Sequence, residues 1–342
     1  MAPPDEAPPA HKRRPRYSGR NPRTFHEKYK ELNPERYGSE VQKIVESGKT
    51  PAGMHRAIMI DEVLDALAPT PGDVAVDCTL GFGGHARAIL ERIQPGGRLI
   101  GLDVDPIELP RTESRLRAAG FGAETFVARR SNFAGLFQVL AQELVSGANV
   151  ILADLGVSSM QLDNPARGFT YKEPGPLDMR MNPSRGEPAS KLLAHISERK
   201  LARLLEEHSD EPDARAIAAA LKAQTIGTTV DLVRVLRAAA LDDTEKSIRR
   251  TFQALRIAVN DEFSALDTFL RHLPDCLAPG GRVAVLTFHS GEDRRVKKAF
   301  EAGHEAGMYA AIADEVVRPS AAEIRANPRA ASAKLRWGVR AT

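Results

Sequence analysis

Residues 74–86 read VAVDCTLGFGGHA. The run from 74 to 78 is short and apolar, glycines follow at 81, 83 and 84, and helical spacing begins directly behind them. That order predicts a strand, a tight turn and a helix. Glycine lets the backbone turn sharply and approach a ligand, and the first turn of a helix offers amides that have no intrahelical partner. The same residues satisfy the dinucleotide pattern G-x-G-x-x-A from Gly81 to Ala86. A glycine turn with no ligand reads the same way, so residues elsewhere on the chain must decide.

Outward from this unit, β-branched runs recur at 98–103, 124–128, 150–154 and 282–288, with helical stretches between them. Such alternation predicts a doubly wound α/β fold, a parallel sheet covered on both faces. A helix over 55–67 precedes the first strand, with Ile58, Met59, Val63, Leu64 and Leu67 at helical spacing and a stop at Pro69 to Gly72. The fourth and fifth runs are more than a hundred residues apart, too far for a structureless loop. Apolar residues at three-and-four spacing fill the gap over 191–208, 214–223, 229–240 and 243–257. The reading is an inserted α-helical domain over 158–245, flanked by a ligand-binding domain built from 55–157 and 246–342. A helix over 251–273 returns the chain to the sheet, and Pro279-Gly-Gly281 introduces the fifth strand.

The strand ends carry the polar residues. Asp103 closes the second strand twenty residues after Gly83, where a carboxylate accepts the hydroxyls of an adenosine ribose. Asp105, followed by Pro106, reads better as a helix cap. Phe133 follows the third strand, as an adenine cover or as a core ring, and the fourth ends in DLGVSSMQLD at 154–163. Their convergence on one carboxyl edge favours an adenosine cofactor. Geometry leaves both a nicotinamide dinucleotide and S-adenosylmethionine open.

With 42% apolar and 27% charged residues over 342, the chain reads as a soluble protein of about two domains. No apolar run approaches the ~18–20 residues that cross a bilayer, so a membrane protein is not expected. Cys78 and Cys276 are too few for a disulfide framework or a zinc site, which points to a reducing cytoplasm. Residues 1–56 hold 12 Lys and Arg against 7 Asp and Glu, a net of +5, whereas the remainder holds 36 against 38. The excess is interleaved with Tyr17, Phe25, Tyr29 and Tyr37, as single-stranded nucleic acid favours, and with prolines, as a solvated tail would be.

In order along the chain, DCTLGFGGH at 77–85, GLDVDP at 101–106, DLGVSSMQLD at 154–163, RGFTYKEPGPLDMRMNP at 167–183, RTFQALRIAVNDE at 250–262, PGGRVAVLTFHSGEDRRVKK at 279–298 and NPRAASAKLR at 327–336 resemble the RsmH (MraW) family. These are bacterial methyltransferases that modify the N4 amine of a decoding-centre cytosine in 16S rRNA. The resemblance implies a Rossmann-like methyltransferase sheet, S-adenosyl-L-methionine as cofactor and the small ribosomal subunit as partner. It also implies cofactor contacts from Gly83, Gly84, His85, Asp103, Phe133, Asp154 and Gln161. Phe82 and Val104 stand where members commonly carry arginine, and the basic stretch before His55 is absent from typical members. The chain thus reads as a divergent member with an N-terminal extension over 1–54.

An exocyclic cytosine amine is a poor nucleophile because its lone pair is delocalised, so acceptors placed on its protons would aid attack. Asp154, Ser158 and Ser159 are the candidates, with turn formation and helix capping as the equal alternative for all three. Arg167, Lys172 and Arg180 lie among rings and prolines on the loop behind this strand, suited to clamp a flipped base and its phosphates. His289 is placed on the substrate side. His289, Glu292 and Asp293 lack a second histidine at ligand spacing, so no metal is expected. A non-catalytic assembly factor with a relic cofactor fold and a nicotinamide-dependent dehydrogenase are the competing functions. If residues 1–54 contact phosphates, deleting them should weaken RNA binding and reduce its logarithmic salt slope by roughly 0.7 per lost single-strand contact. Titrations at several salt concentrations check this, and an identical slope would identify a solvated tail.

Overall fold

Five parallel strands form where the β-branched runs predict them: β1 (Val74–Asp77), β2 (Arg98–Asp103), β3 (Phe126–Arg130), β4 (Ala148–Asp154) and β5 (Leu277–Thr287). The computed structural model describes residues 57–342, so the extension over 1–54 lies outside the described residues. Two further strands, β6 (Tyr309–Ile312) and β7 (Lys334–Arg340), complete one sheet in the order β3-β2-β1-β4-β5-β7-β6. β7 runs antiparallel to both β5 and β6. This pair is not expected from the sequence. KLRWGVR has no β-branched run, and two of its cations pair inward, Lys334 Nζ and Arg336 Nε donating to Asp293 at 2.8 and 2.7 Å.

Burial on both faces explains the composition of the central strands. Val76, Ile100, Ile151, Val283 and Val285 enter one apolar layer, while their neighbours Ala75, Leu99, Val150, Leu152 and Ala284 enter the other. Side chains alternate with period two, so a strand covered on both faces is apolar throughout. The second layer is closed by α1 (Ile60–Leu67) and α2 (Gly84–Ile93), while α3 (Glu108–Ala118) and α4 (Leu136–Gln142) follow β2 and β3.

Between β4 and β5 stand α5 (Ser159–Asp163), α6 (Ala189–His195), α7 (Glu198–Ser209), α8 (Ala214–Lys222), α9 (Thr229–Ala238), α10 (Thr244–Asn260) and α11 (Glu262–Cys276). The helix expected over 191–208 is two, because Ser197 interrupts it and caps α7 by accepting from Lys200 N. The one expected over 251–273 breaks at Asp261, which adopts a left-handed conformation with φ 52°. Leu201, Leu205, Ile217, Leu221, Leu232 and Leu236 form a separate helical core. It continues past residue 245 through Ile248, Phe252 and Leu255 of α10, whereas Leu266, Phe269 and Leu273 of α11 pack on the sheet. The described residues nevertheless belong to one compact unit. After β5 come α12 (Ser290–Glu305) and α13 (Ala321–Ala326).

The loop from 164 to 188 departs from the expected clamp. Arg167 is buried, and its Nη1 donates to Asp105 Oδ2 at 2.8 Å while Nη2 donates to the carbonyls of Arg180 and Met181 at 3.1 and 2.8 Å. Arg180 grips Asp178 through Nε and Nη2 at 2.8 and 2.7 Å. Both guanidiniums therefore hold the loop's own shape. A buried carboxylate needs a close cation, and Asp105 is fully buried. Removing the cation leaves that charge unpaired, so Arg167→Met should destabilise the protein by about 3–5 kcal/mol in urea unfolding. An unchanged midpoint would return Arg167 to the RNA-facing reading.

Candidate active site

The strand order reverses between β1 and β4, and a cavity of about 410 Å³ opens there, outside the carboxyl ends of the strands. The glycine loop forms its floor. Gly83 adopts φ 85° and precedes α2, and a Cβ there would meet Thr112 Cγ2 at 2.8 Å, so the turn requires glycine. Gly81 N donates to Asp103 Oδ2 at 2.8 Å and Asp105 N donates to Asp103 Oδ1 at 2.8 Å. Each Asp103 oxygen keeps a lone pair for a ligand hydroxyl.

Gly83, Gly84, His85, Asp103, Phe133, Asp154, Ser158, Ser159 and Gln161 all line this cavity. Phe133 lines the cavity and also sits edge-on to Phe269 with centroids 5.5 Å apart. Gln161 is braced from behind, its Nε2 donating to Asp105 Oδ2 at 2.8 Å and its Oε1 accepting from Ser158 N at 3.0 Å. Ser158 Oγ accepts from Gln161 N at 3.2 Å, so this serine caps α5.

Two expected substrate contacts lie elsewhere. Lys172 is exposed and outside the cavity wall. His289 is turned inward as the N-cap of α12, its Nδ1 accepting from Glu292 N at 3.4 Å and its Nε2 3.2 Å from Glu292 Oε1. The first turn of a helix needs an acceptor for its free amides, and here the imidazole supplies one.

Three carboxyl groups crowd the strand ends. Burial above all raises Asp77 to about 6, with Asp154 and Asp103 adding to the effect. Burial likewise raises Asp103 to about 6. Asp154 is pushed to about 7 by burial and by Glu292. Negative charge is already abundant there, so a cationic ligand would be favoured.

A second wall was not foreseen. Met181, Arg256, Asn260, Glu262 and Glu292, from the loop before α6 and from α10, α11 and α12, also line the cavity. Arg256 Nε and Nη2 donate to the two Glu262 oxygens, both at 2.8 Å. Burial works against the charge on Glu292, but His289 and Arg256 pull it below its ordinary range. The available signal was Arg256 itself, a cation between Phe252, Leu255 and Val259 on a helix whose apolar face is buried.

A profile of the MraW methylase family matches residues 52–340. The ribosomal RNA small subunit methyltransferase H 1 of Agathobacter rectalis is 48% identical over 97% of this chain and 98% of its own. The ribosomal RNA small subunit methyltransferase H 2 of Alkaliphilus metalliredigens is 48% identical over 96% and 97%. The methyltransferase H of Anaeromyxobacter sp. strain K is 44% identical over 82% and 96%. The first two alignments include most of residues 1–54, so the extension is shared with those relatives and is not peculiar to this chain.

Asp103→Ala should remove two charge-assisted hydrogen bonds to ribose hydroxyls, about 1.5–3 kcal/mol each, and weaken S-adenosylmethionine at least ~10-fold. Calorimetry measures this, and a folded variant with unchanged affinity would remove Asp103 from the site.

Proposed function

The chain belongs to the MraW methylase family, and on that premise we propose that it methylates the N4 amine of a cytosine in 16S rRNA of the small ribosomal subunit, using S-adenosyl-L-methionine. The observation that carries this reading is a single cavity with two unlike walls. One wall suits the cofactor. It has a glycine cradle at a helix N-terminus, Asp103 with free lone pairs, and carboxyl groups whose raised pKa values favour a cation beside them. The other wall, from the end of α10 and the start of α11, offers the Arg256 guanidinium as a donor and the Glu262 carboxylate as an acceptor, which suits the polar edge of a base.

S-adenosylmethionine supplies an electrophilic methyl group on a sulfonium. The protein's part is to hold the amine in line with that methyl and to draw on its protons. Asp154 closes β4 on the cavity floor with its side chain 29% exposed, so its carboxylate is the acceptor within reach of a bound amine. Ser158 and Ser159 shape the turn beside it. The helical domain over 158–245, together with the start of α10, belongs to this reading as the part that presents the RNA.

Asp154→Asn should keep the fold and much of the cofactor affinity while lowering single-turnover methylation by about 10² or more. Equal losses of affinity and rate would make Asp154 a cofactor ligand first, and native values of both would exclude each role. The cytosine reading itself is checked by mapping 16S rRNA from a strain lacking the gene. One N4-methylated cytosine should disappear, and an unchanged map would reject that substrate.

A further inference from the structure

We propose that His85 is a positioning residue for proton removal: its Nδ1 and the Asp154 carboxyl together hold the proton that the attacking amine gives up. The inference rests on the methyl transfer proposed above.

His85 is buried, with its Nε2 2.9 Å from the carbonyl oxygen of Ile58. A carbonyl only accepts, so Nε2 carries the hydrogen. Nδ1 then keeps its lone pair and lies 3.5 Å from Asp154 Oδ2. Two bare acceptors at that distance repel each other, whereas one proton on either of them makes the contact attractive. The two are not hydrogen-bonded at this distance, but a proton on either one would draw them into a bond.

Charged neighbours act on both members of the pair. Asp77 on β1 and Glu323 on α13 favour a proton on His85, and Glu292 on α12 favours one on Asp154. Asp103 on β2 adds negative charge near Asp77, and Arg256 on α10 offsets Glu292. Burial disfavours charge on both members, lowering His85 and raising Asp154 to about 7.

In the transfer, the N4 lone pair forms the bond to the methyl carbon as the carbon–sulfur bond breaks, and its electron pair stays on sulfur as a neutral thioether. The nitrogen, now cationic, releases one proton to the Asp154 carboxylate, where His85 Nδ1 shares it. Asp154 must be ionised to begin, so the single-turnover rate should rise with pH and then level off, with a midpoint below the value of about 7 that Asp154 has without the cationic cofactor.

The test has two arms on the full-length chain. Nitrogen NMR of the histidine rings, without RNA or cofactor, should show His85 with its hydrogen on Nε2 above pH 8, and Asp154→Asn should shift its titration. A hydrogen on Nδ1, or a titration indifferent to Asp154→Asn, would overturn the proposal even if methylation is confirmed. In the second arm, His85→Gln keeps a donor for Ile58 but cannot take the proton. At saturating S-adenosylmethionine its plateau rate should fall by about 10-fold or more and the midpoint of the pH profile should move. A lower affinity with an unmoved profile would make His85 a cofactor contact alone. Absence of any cytosine methylation would remove the function while leaving the NMR result standing.

Discussion

Parallel strands point their carboxyl ends the same way, and in this sheet three of them end in aspartate, Asp103 and Asp154 lining the cavity and Asp77 buried behind it. Keeping Asp77, Asp103 and Asp154 together is the constraint around which the site is arranged, since each buried negative charge raises the cost of the next. Local amides offset part of that cost. Asp103 accepts from Gly81 N and Asp105 N, and Asp77 accepts from Thr79 N at 3.0 Å. Among the described residues no amide is seen to donate to the Asp154 carboxyl, and it carries the highest pKa of the three. The glycine loop thus has two duties, opening room for a ligand and directing Gly81 N at Asp103. Both depend on the tight turn.

A fourth carboxylate, Asp105, acts away from the ligand. It accepts from Ile107 N at the start of α3, from Gln161 of α5 and from Arg167 of the following loop. One buried group thereby joins the end of β2 to the polypeptide that leaves β4. Asn260 extends the bracing, accepting from Met181 N at 2.7 Å and donating to the Met179 carbonyl at 2.8 Å. The loop over 178–181 is fixed from both sides, which sets Met181 in the cavity wall.

The parts legible in the sequence were those with a local cause. Strand and glycine-turn positions follow from apolar runs and from conformations only glycine adopts easily, and Asp103 follows from its distance to Gly83. Asp105 was correctly read as a cap, but its larger role depends on residues 56 and 62 positions away, beyond any periodicity. Arg167 and Arg180 read as RNA-facing because cations near rings suggest RNA, and His289 reads as substrate-facing because it follows the fifth strand on the ligand edge. Arg167 is instead turned inward by Asp105, 62 positions away, whereas Arg180 and His289 are held by the near neighbours Asp178 and Glu292, pairings that spacing alone does not reveal. β7 was missed for the same reason, since the partner of its charges, Asp293, lies about forty residues earlier.

The two cavity walls differ in electrostatic logic, and that difference bears on the order of events. The floor has excess negative charge that a cation would relieve. On the far wall the Arg256 charge is already matched by Glu262, with Glu292 close behind. A neutral base entering there meets no large uncompensated field, only donors and acceptors to be paired. Binding of a sulfonium cofactor would lower the pKa values of the floor carboxyls, Asp154 among them. That shift would leave Asp154 ionised at neutral pH and ready to take a proton when the base arrives. Cofactor first and base second is the order that this arrangement of charge favours.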